Sequence, residues 1–135
     1  MSFPKNVLLI DDDPEDCEIF FTALKERFDG VECNYEQDAR AALKRIYDTT
    51  IPAPQMVFLD WRMPLISGAE ILTIIRELPH YKGIPIVIFS GGLANYWEEA
   101  QKLGASYLLV KPSKIDELIV DLTHIFELES KRKSN

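Results

Sequence analysis

Two hydrophobic rhythms alternate along this chain. Val7-Leu8-Leu9-Ile10 is an unbroken apolar run, the pattern of a short strand buried on both faces. Behind it, Asp13 is placed to cap a helix, with Pro14 at the first helical position and Glu15 and Asp16 in the first turn. Cys17, Phe20, Phe21, Leu24 and Phe28 then share one helical face, and Gly30 is expected to stop the helix. A weaker strand follows from Val31 to Tyr35. Asp38 can cap a second helix that buries Ala39, Ala42, Leu43 and Ile46. Pro52 and Pro54 mark a loop before the third strand, Met56-Val57-Phe58-Leu59, which ends at Asp60.

The second half repeats the alternation. Ser67 can cap a helix carrying Ile71, Leu72, Ile75 and Leu78, and Pro79 ends it. Ile84 to Phe89 reads as the fourth strand, with Pro85 near its start, where a missing N–H is tolerated. Ser90-Gly91-Gly92 reads as a turn. The next helix aligns Leu93, Trp97, Ala100 and Leu103 and closes at Gly104. Tyr107-Leu108-Leu109-Val110 is the fifth strand and runs into Lys111-Pro112. The last helix places Ile115, Leu118, Ile119, Leu122, Ile125 and Phe126 on one face.

Five strand–helix units predict an α/β fold: a doubly wound, five-stranded parallel sheet with five flanking helices. The 135 residues suit one domain, read as 1–130 with a short basic tail at 131–135. A formal charge of −7 disfavours binding to nucleic acid. The one basic run, Lys131-Arg132-Lys133, reads as solvated. Cys17 and Cys33 are too few for a disulfide scaffold or a zinc site and read as small core residues. No apolar stretch of ~18 residues is present, and the start lacks the apolar region of a signal peptide, so the expectation is a cytoplasmic protein without membrane contact.

Sites in parallel α/β sheets form at the carboxyl ends of the strands. The first strand here ends in Asp11-Asp12-Asp13, the third in Asp60, the fourth in Ser90 and the fifth in Lys111. Carboxylates gathered there repel one another, and a hard divalent cation relieves the repulsion. Magnesium is the expected ion, with Asp12 and Asp60 as direct ligands and Asp11 acting through water. Asp60 stands singly and is the best candidate for a covalent nucleophile in phosphoryl transfer. Lys111, the Ser90 hydroxyl and the backbone N–H of Gly91 can then neutralise the transferred group. Each residue has a plain alternative: Asp13 as a cap, Asp60 as a turn residue, Ser90 as a helix cap, Lys111 as a surface lysine. Their placement at strand ends on one edge favours the chemical reading.

The segments Leu8-Leu9-Ile10-Asp11-Asp12-Asp13-Pro14, Phe58-Leu59-Asp60-Trp61-Arg62-Met63-Pro64, Ser67-Gly68, Ser90-Gly91 and Lys111-Pro112 together resemble a response-regulator receiver domain of the CheY-like type, over about residues 5 to 128. The resemblance implies strand order 2-1-3-4-5. It implies a phosphoryl group delivered to Asp60 by a histidine kinase or phosphotransfer protein, and Mg²⁺ held by Asp12, Asp60 and the Arg62 carbonyl with help from Asp11. It suggests a cis peptide before Pro112. It also implies switching through Ser90 and Lys111 to the face of the fourth helix, fifth strand and fifth helix, with Tyr96, Tyr107, Leu108 and Pro112 as switch or interface residues and an unknown downstream protein as the reader. Trp97 is assigned to the core.

Some positions depart from the pattern. Leu108 fills the slot three residues before the lysine where the family usually carries Tyr or Phe, with Tyr107 beside it. Arg62 stands two residues after Asp60, and Ser67 stands where Asp often precedes the glycine. No output domain follows the receiver, so the chain is expected to act through a partner, or to be part of a longer protein. It is expected to be no enzyme beyond its own phosphoryl transfer and dephosphorylation. A phosphatase of the haloacid-dehalogenase type would want an acid where Arg62 stands. A flavin-binding protein of the same topology would have its phosphate repelled by the acidic run after the first strand. The remaining alternative is a degenerate receiver that binds partners without phosphorylation.

Overall fold

A computed structural model describes residues 3–92 and 95–134, the side chain of Ser134 excepted. The strands are β1 (Asn6–Ile10), β2 (Glu32–Glu36), β3 (Met56–Leu59), β4 (Ile86–Ser90) and β5 (Tyr107–Val110). The helices are α1 (Pro14–Arg27), α2 (Ala39–Tyr47), α3 (Gly68–Glu77), α4 (Trp97–Lys102) and α5 (Ile115–Ser134), with a 3-10 turn at Pro79–Tyr81. All strand pairs are parallel, in the order β2-β1-β3-β4-β5.

Alternation along the strands divides the core into two layers. Val7, Leu9, Met56, Phe58, Val87, Phe89 and Leu109 face α1 and α5, where Phe20, Leu24, Leu122 and Phe126 meet them. Leu8, Ile10, Val57, Leu59, Ile86 and Ile88 face α2, α3 and α4, where Ile46, Ile71, Leu72 and Ala100 meet them. The central strands are apolar throughout because both of their faces are covered. Edge strand β2 is largely exposed and polar, as edges usually are. No helix of the described residues is long and apolar enough to cross a membrane.

The capping expectations hold. Asp13 accepts from the Glu15 N–H at 2.9 Å, Asp38 from the Arg40 N–H at 2.7 Å and Ser67 from the Glu70 N–H at 3.2 Å. Elsewhere the structure moves the boundaries. Helix α1 stops at Phe28, whose N–H bonds the Leu24 carbonyl, and Gly30 lies outside the left-handed region, so it is no helix-stopping glycine. Strand β2 starts at Glu32 rather than Val31, and β4 starts at Ile86 because Pro85 contributes only its carbonyl, to the Val57 N–H. Ser90 belongs to β4 rather than to a turn. The residues read as a basic tail continue α5 as far as Ser134, with Arg132 paired to Glu129. Helix α4 is only six residues long, and Leu93 lies outside the described residues. No peptide bond among the described residues is cis, so the bond before Pro112 is trans, the form favoured by default for X–Pro.

Two close approaches lock the frame around the carboxyl edge. Gly68 donates its N–H to the Trp61 carbonyl at 3.0 Å. A Cβ on Gly68 would stand 2.5 Å from the Asp60 carbonyl oxygen and 2.7 Å from the Trp61 Cα, so the start of α3 rests directly on the backbone after β3. Arg76 donates to the carbonyls of Gly104 and Ile84, tying α3 to the approaches of β4 and β5. Replacing Gly68 by alanine forces that backbone contact apart and is expected to destabilise the fold by about 2 kcal/mol, in the range of overpacking a filled site. Gly30→Ala, with nothing within 4 Å of the new methyl group and no left-handed backbone, is expected to leave the urea midpoint unchanged or slightly raised. Equal midpoints for the two variants would refute the contact.

Candidate functional site

The sheet ladder itself delivers the acids. The Asp11 N–H continues the β1–β2 ladder onto the Glu36 carbonyl at 3.1 Å, and the Asp60 N–H bonds the Ile10 carbonyl at 2.8 Å. On the far side, the Lys111 N–H bonds the Ser90 carbonyl at 2.9 Å. The ends of β1, β3 and β5, each bonded to a neighbouring strand, therefore fix the backbones of the residues whose side chains meet.

Those side chains meet around one ammonium. Lys111 Nζ lies 2.7 Å from Asp16 Oδ2, 2.9 Å from Asp11 Oδ2 and 3.5 Å from Asp60 Oδ2. Its stem passes the Phe89 ring, with Nζ 5.4 Å from the centroid. Asp11 is fully buried and Asp60 nearly so, while Asp12 is exposed. Ligand oxygens of Asp11, Asp12 and Asp60 all fall within 4.8 Å of one another.

Each buried acid has one oxygen tied to the backbone and one left for chemistry. Asp11 Oδ1 accepts from the Asp13 N–H at 3.0 Å, and Asp60 Oδ1 from the Arg62 N–H at 3.3 Å. Asp11 Oδ2 is buried without an aligned hydrogen bond, although the Lys111 charge is 2.9 Å away. Burial pushes the Asp60 carboxyl up to about 7; Lys111 opposes this, while Asp11 and contact with the Asp12 carboxyl reinforce it. Burial also raises Asp11, against Lys111 and the Asp13 N–H. Burial pulls the Lys111 ammonium down, but Asp16, Asp11 and Asp60 together hold it above its ordinary value.

This donor set fits a hard divalent cation. Two touching carboxylates need a proton or a cation between them, and a buried carboxylate oxygen without an aligned donor can accept from a metal-bound water. Asp11, Asp12 and Asp60 supply only oxygen ligands, the type that magnesium and manganese take in octahedral sites.

The other expected residues are placed less uniformly. Ser90 is buried at the end of β4 opposite Val110, and its hydroxyl has no hydrogen-bond partner among the described residues. Gly91 beside it is exposed with open space around its Cα. Arg62 is exposed and forms no ion pair among the described residues. Tyr96 is buried rather than displayed, stacked on Trp61 with ring centroids 5.2 Å apart and planes 11° from parallel. Trp97, assigned to the core, is only half-buried. Tyr107 points to the opposite end of the sheet, donating its hydroxyl to Glu129 at 2.6 Å. Leu108 packs into the layer beneath α4. Pro112 is half-buried after Lys111.

Sequence reasoning missed Asp16 as a partner of Lys111 and Tyr96 as a partner of Trp61. Asp16 was legible only as a favourable charge in the first turn of α1. The loop after β3 also holds a strained turn: the Ile66 N–H bonds the Pro64 carbonyl at 2.8 Å across Leu65, whose φ is +72°. That is a γ-turn of the rare left-handed kind, and its leucine is exposed.

A family model described as the response regulator receiver domain matches residues 7–123. The chain is similar to Response regulator Rcp1 of Synechocystis, at 29% identity over 92 residues, covering 64% of this chain and 62% of Rcp1. It is also similar to Regulatory protein AtoC of Escherichia coli, at 27% identity over 134 residues, covering 98% of this chain and 28% of AtoC. The match thus spans less than two thirds of either relative. Among solved structures, a putative response regulator from Chloroflexus aurantiacus aligns with a TM-score of 0.76 at 26% identity, covering 92% of this chain and 98% of that one. The Mn²⁺-bound form of response regulator Rcp1 aligns with a TM-score of 0.78 at 24% identity, covering 90% and 91%, a likeness of fold.

A raised carboxyl makes the metal-free protein sensitive to pH. Between the ordinary 3.8 and about 7, folded Asp60 holds a proton that the unfolded chain releases. Folding stability therefore falls as pH rises through this window, by about 1.4 kcal/mol for each tenfold difference in proton affinity. Urea unfolding in a chelator should show that decline, Asp60→Asn should flatten it, and Mg²⁺ should offset it increasingly as pH rises. A slope unchanged by Asp60→Asn would assign the pH dependence elsewhere.

Proposed function

The chain belongs to the response regulator receiver family of two-component systems, and from that premise we propose that Asp60 accepts a phosphoryl group from a histidine kinase or phosphotransfer protein. The observation that carries the reading is the setting of Asp60: buried at the end of β3, in contact with one carboxylate and 3.5 Å from the Lys111 ammonium. A group raised to about 7 and facing other acids binds a cation or a phosphoryl group at the expense of its proton.

In the proposed reaction an Asp60 oxygen attacks the phosphorus of the donor. With a phosphohistidine donor the P–N bond breaks, its electron pair leaves with the imidazole, and an acyl phosphate P–O bond forms on Asp60. Asp12, Asp60 and the Arg62 carbonyl would hold the metal, with Asp11 helping through Oδ2, the oxygen it shares with the Lys111 ammonium. Magnesium bound there supplies charge neutralisation for the transferring oxygens. Lys111 is within reach of a second phosphoryl oxygen, and the Ser90 hydroxyl, without a hydrogen-bond partner among the described residues, can donate to a third. The Gly91 N–H, in an open loop, is the further donor.

The switch follows from charge. A phosphoryl group adds about −1.5 to −2 charges and three acceptor oxygens. Drawing Ser90 and Lys111 toward it shifts the ends of β4 and β5, and Lys111 leads directly into Pro112 and α5. Leu108 offers no polar aromatic for this coupling, and Tyr107 is committed to Glu129. The Trp61–Tyr96 stack is the aromatic link between the phosphoacceptor loop and the start of α4. A downstream protein would read the resulting face.

Incubation with acetyl phosphate and Mg²⁺ is expected to give an adduct of about 80 Da by intact mass. Asp60→Asn should abolish it, and Lys111→Ala should reduce the rate of its formation by about a hundred- to a thousandfold, the loss expected for one charge-stabilising donor. A wild-type chain that stays unlabelled at saturating donor and metal would favour the phosphorylation-independent module.

A further inference from the structure

Lys111 spends its aligned hydrogen bond in an unexpected place. Of the three carboxylates around Nζ, the nearest is Asp16 Oδ2 at 2.7 Å, and this contact is a well-formed hydrogen bond. The contact with Asp11 is an ion pair without hydrogen-bond alignment, and the distance to Asp60 is 3.5 Å. The least buried of the three acids therefore holds the lysine, while the phosphoacceptor stands last in line. Helix geometry fixes that arrangement. Asp13 caps α1 and Pro14 occupies its first position, so Asp16 sits in the first turn, where the aligned N–H groups favour a negative charge.

We infer that Asp16 is a positioning residue for phosphoryl transfer: its carboxylate holds the Lys111 ammonium at a resting place on the α1 side of the pocket, and Lys111 must leave it to reach a phosphoryl group on Asp60. The inference rests on the phosphoacceptor reading of Asp60. Two consequences share one sign. Lys111 gives up a short charge-assisted bond when it moves. The Asp16 charge also remains near the incoming dianion and repels it. Asp16 thus weights the balance toward the unphosphorylated state. Replacing it by asparagine keeps the shape and an acceptor oxygen but removes the charge, so both effects weaken together. Glu15, also in the first turn, is exposed and has no contact with Lys111 among the described residues, which makes it the control for net charge alone.

The test compares wild type, Asp16→Asn and Glu15→Gln by two measurements. Heteronuclear NMR of the lysine ammonium groups, with Lys111 assigned from Lys111→Met, reads the restraint directly in unphosphorylated protein. The Lys111 signal should be protected from exchange in wild type and in Glu15→Gln, and should shift and lose protection in Asp16→Asn. Titration with acetyl phosphate at saturating Mg²⁺ reads the consequence: Asp16→Asn should reach half-labelling at about three- to tenfold lower donor, the change expected when a charged acceptor becomes a neutral one. An ammonium signal indifferent to Asp16→Asn overturns the inference whatever the labelling shows. So does an equal labelling gain in Glu15→Gln, which would reduce the effect to diffuse charge, and so does unchanged or weaker labelling of Asp16→Asn. A wild-type protein that takes no label overturns the phosphoacceptor reading instead, and the NMR comparison then decides alone whether Asp16 restrains Lys111.

Discussion

Repulsion among buried carboxylates is the constraint to which the rest of this molecule answers. Asp11 and Asp60 are brought out of water at the ends of adjacent strands, where neither can relax by turning to solvent. Their charges are tolerable only with a counter-charge, and the protein supplies a single ammonium for three acids. The deficit is what makes the pocket receptive. A site fully neutralised by its own side chains would have no affinity left for a cation or for a phosphoryl group.

The sheet makes that stress mechanically sustainable. Ladder bonds run through Asp11, Asp60 and Lys111 themselves, so their backbones are as fixed as the strands that end there. The two core layers then hold the strands from both sides, and Gly68 lets α3 press on the Asp60 carbonyl. Loops alone would let the acids drift apart.

Much of this was legible in the residue pattern because the signals are local. Apolar runs named four of the strands, a weaker alternation named the second, and Asp13, Asp38 and Ser67 named three helix starts. The strand-end acids and Lys111 were legible too, since topology alone puts consecutive parallel strand ends on one edge. What escaped needed three dimensions. That Asp16 would meet a lysine 95 residues later depends on the angle at which α1 crosses the sheet. Tyr96 and Trp97 are neighbours in sequence, and helical spacing favoured the tryptophan for burial. The short α4 instead starts after Tyr96 and lets the tyrosine ring stack on Trp61. Gly30 looked like a helix stop, but Phe28 had already closed the helix through its own N–H.

The γ-turn at Leu65 sets the stiffness of the loop after β3. A leucine held in the left-handed region stores about 1 kcal/mol that a glycine would not. Glycine in that place would also widen the set of shapes open to the segment between Trp61 and Ser67. The branched side chain thus acts as a stiffener: it narrows the segment to one tight fold-back between Pro64 and Ile66. Rigidity in a stretch with no regular secondary structure is here bought with torsional tension.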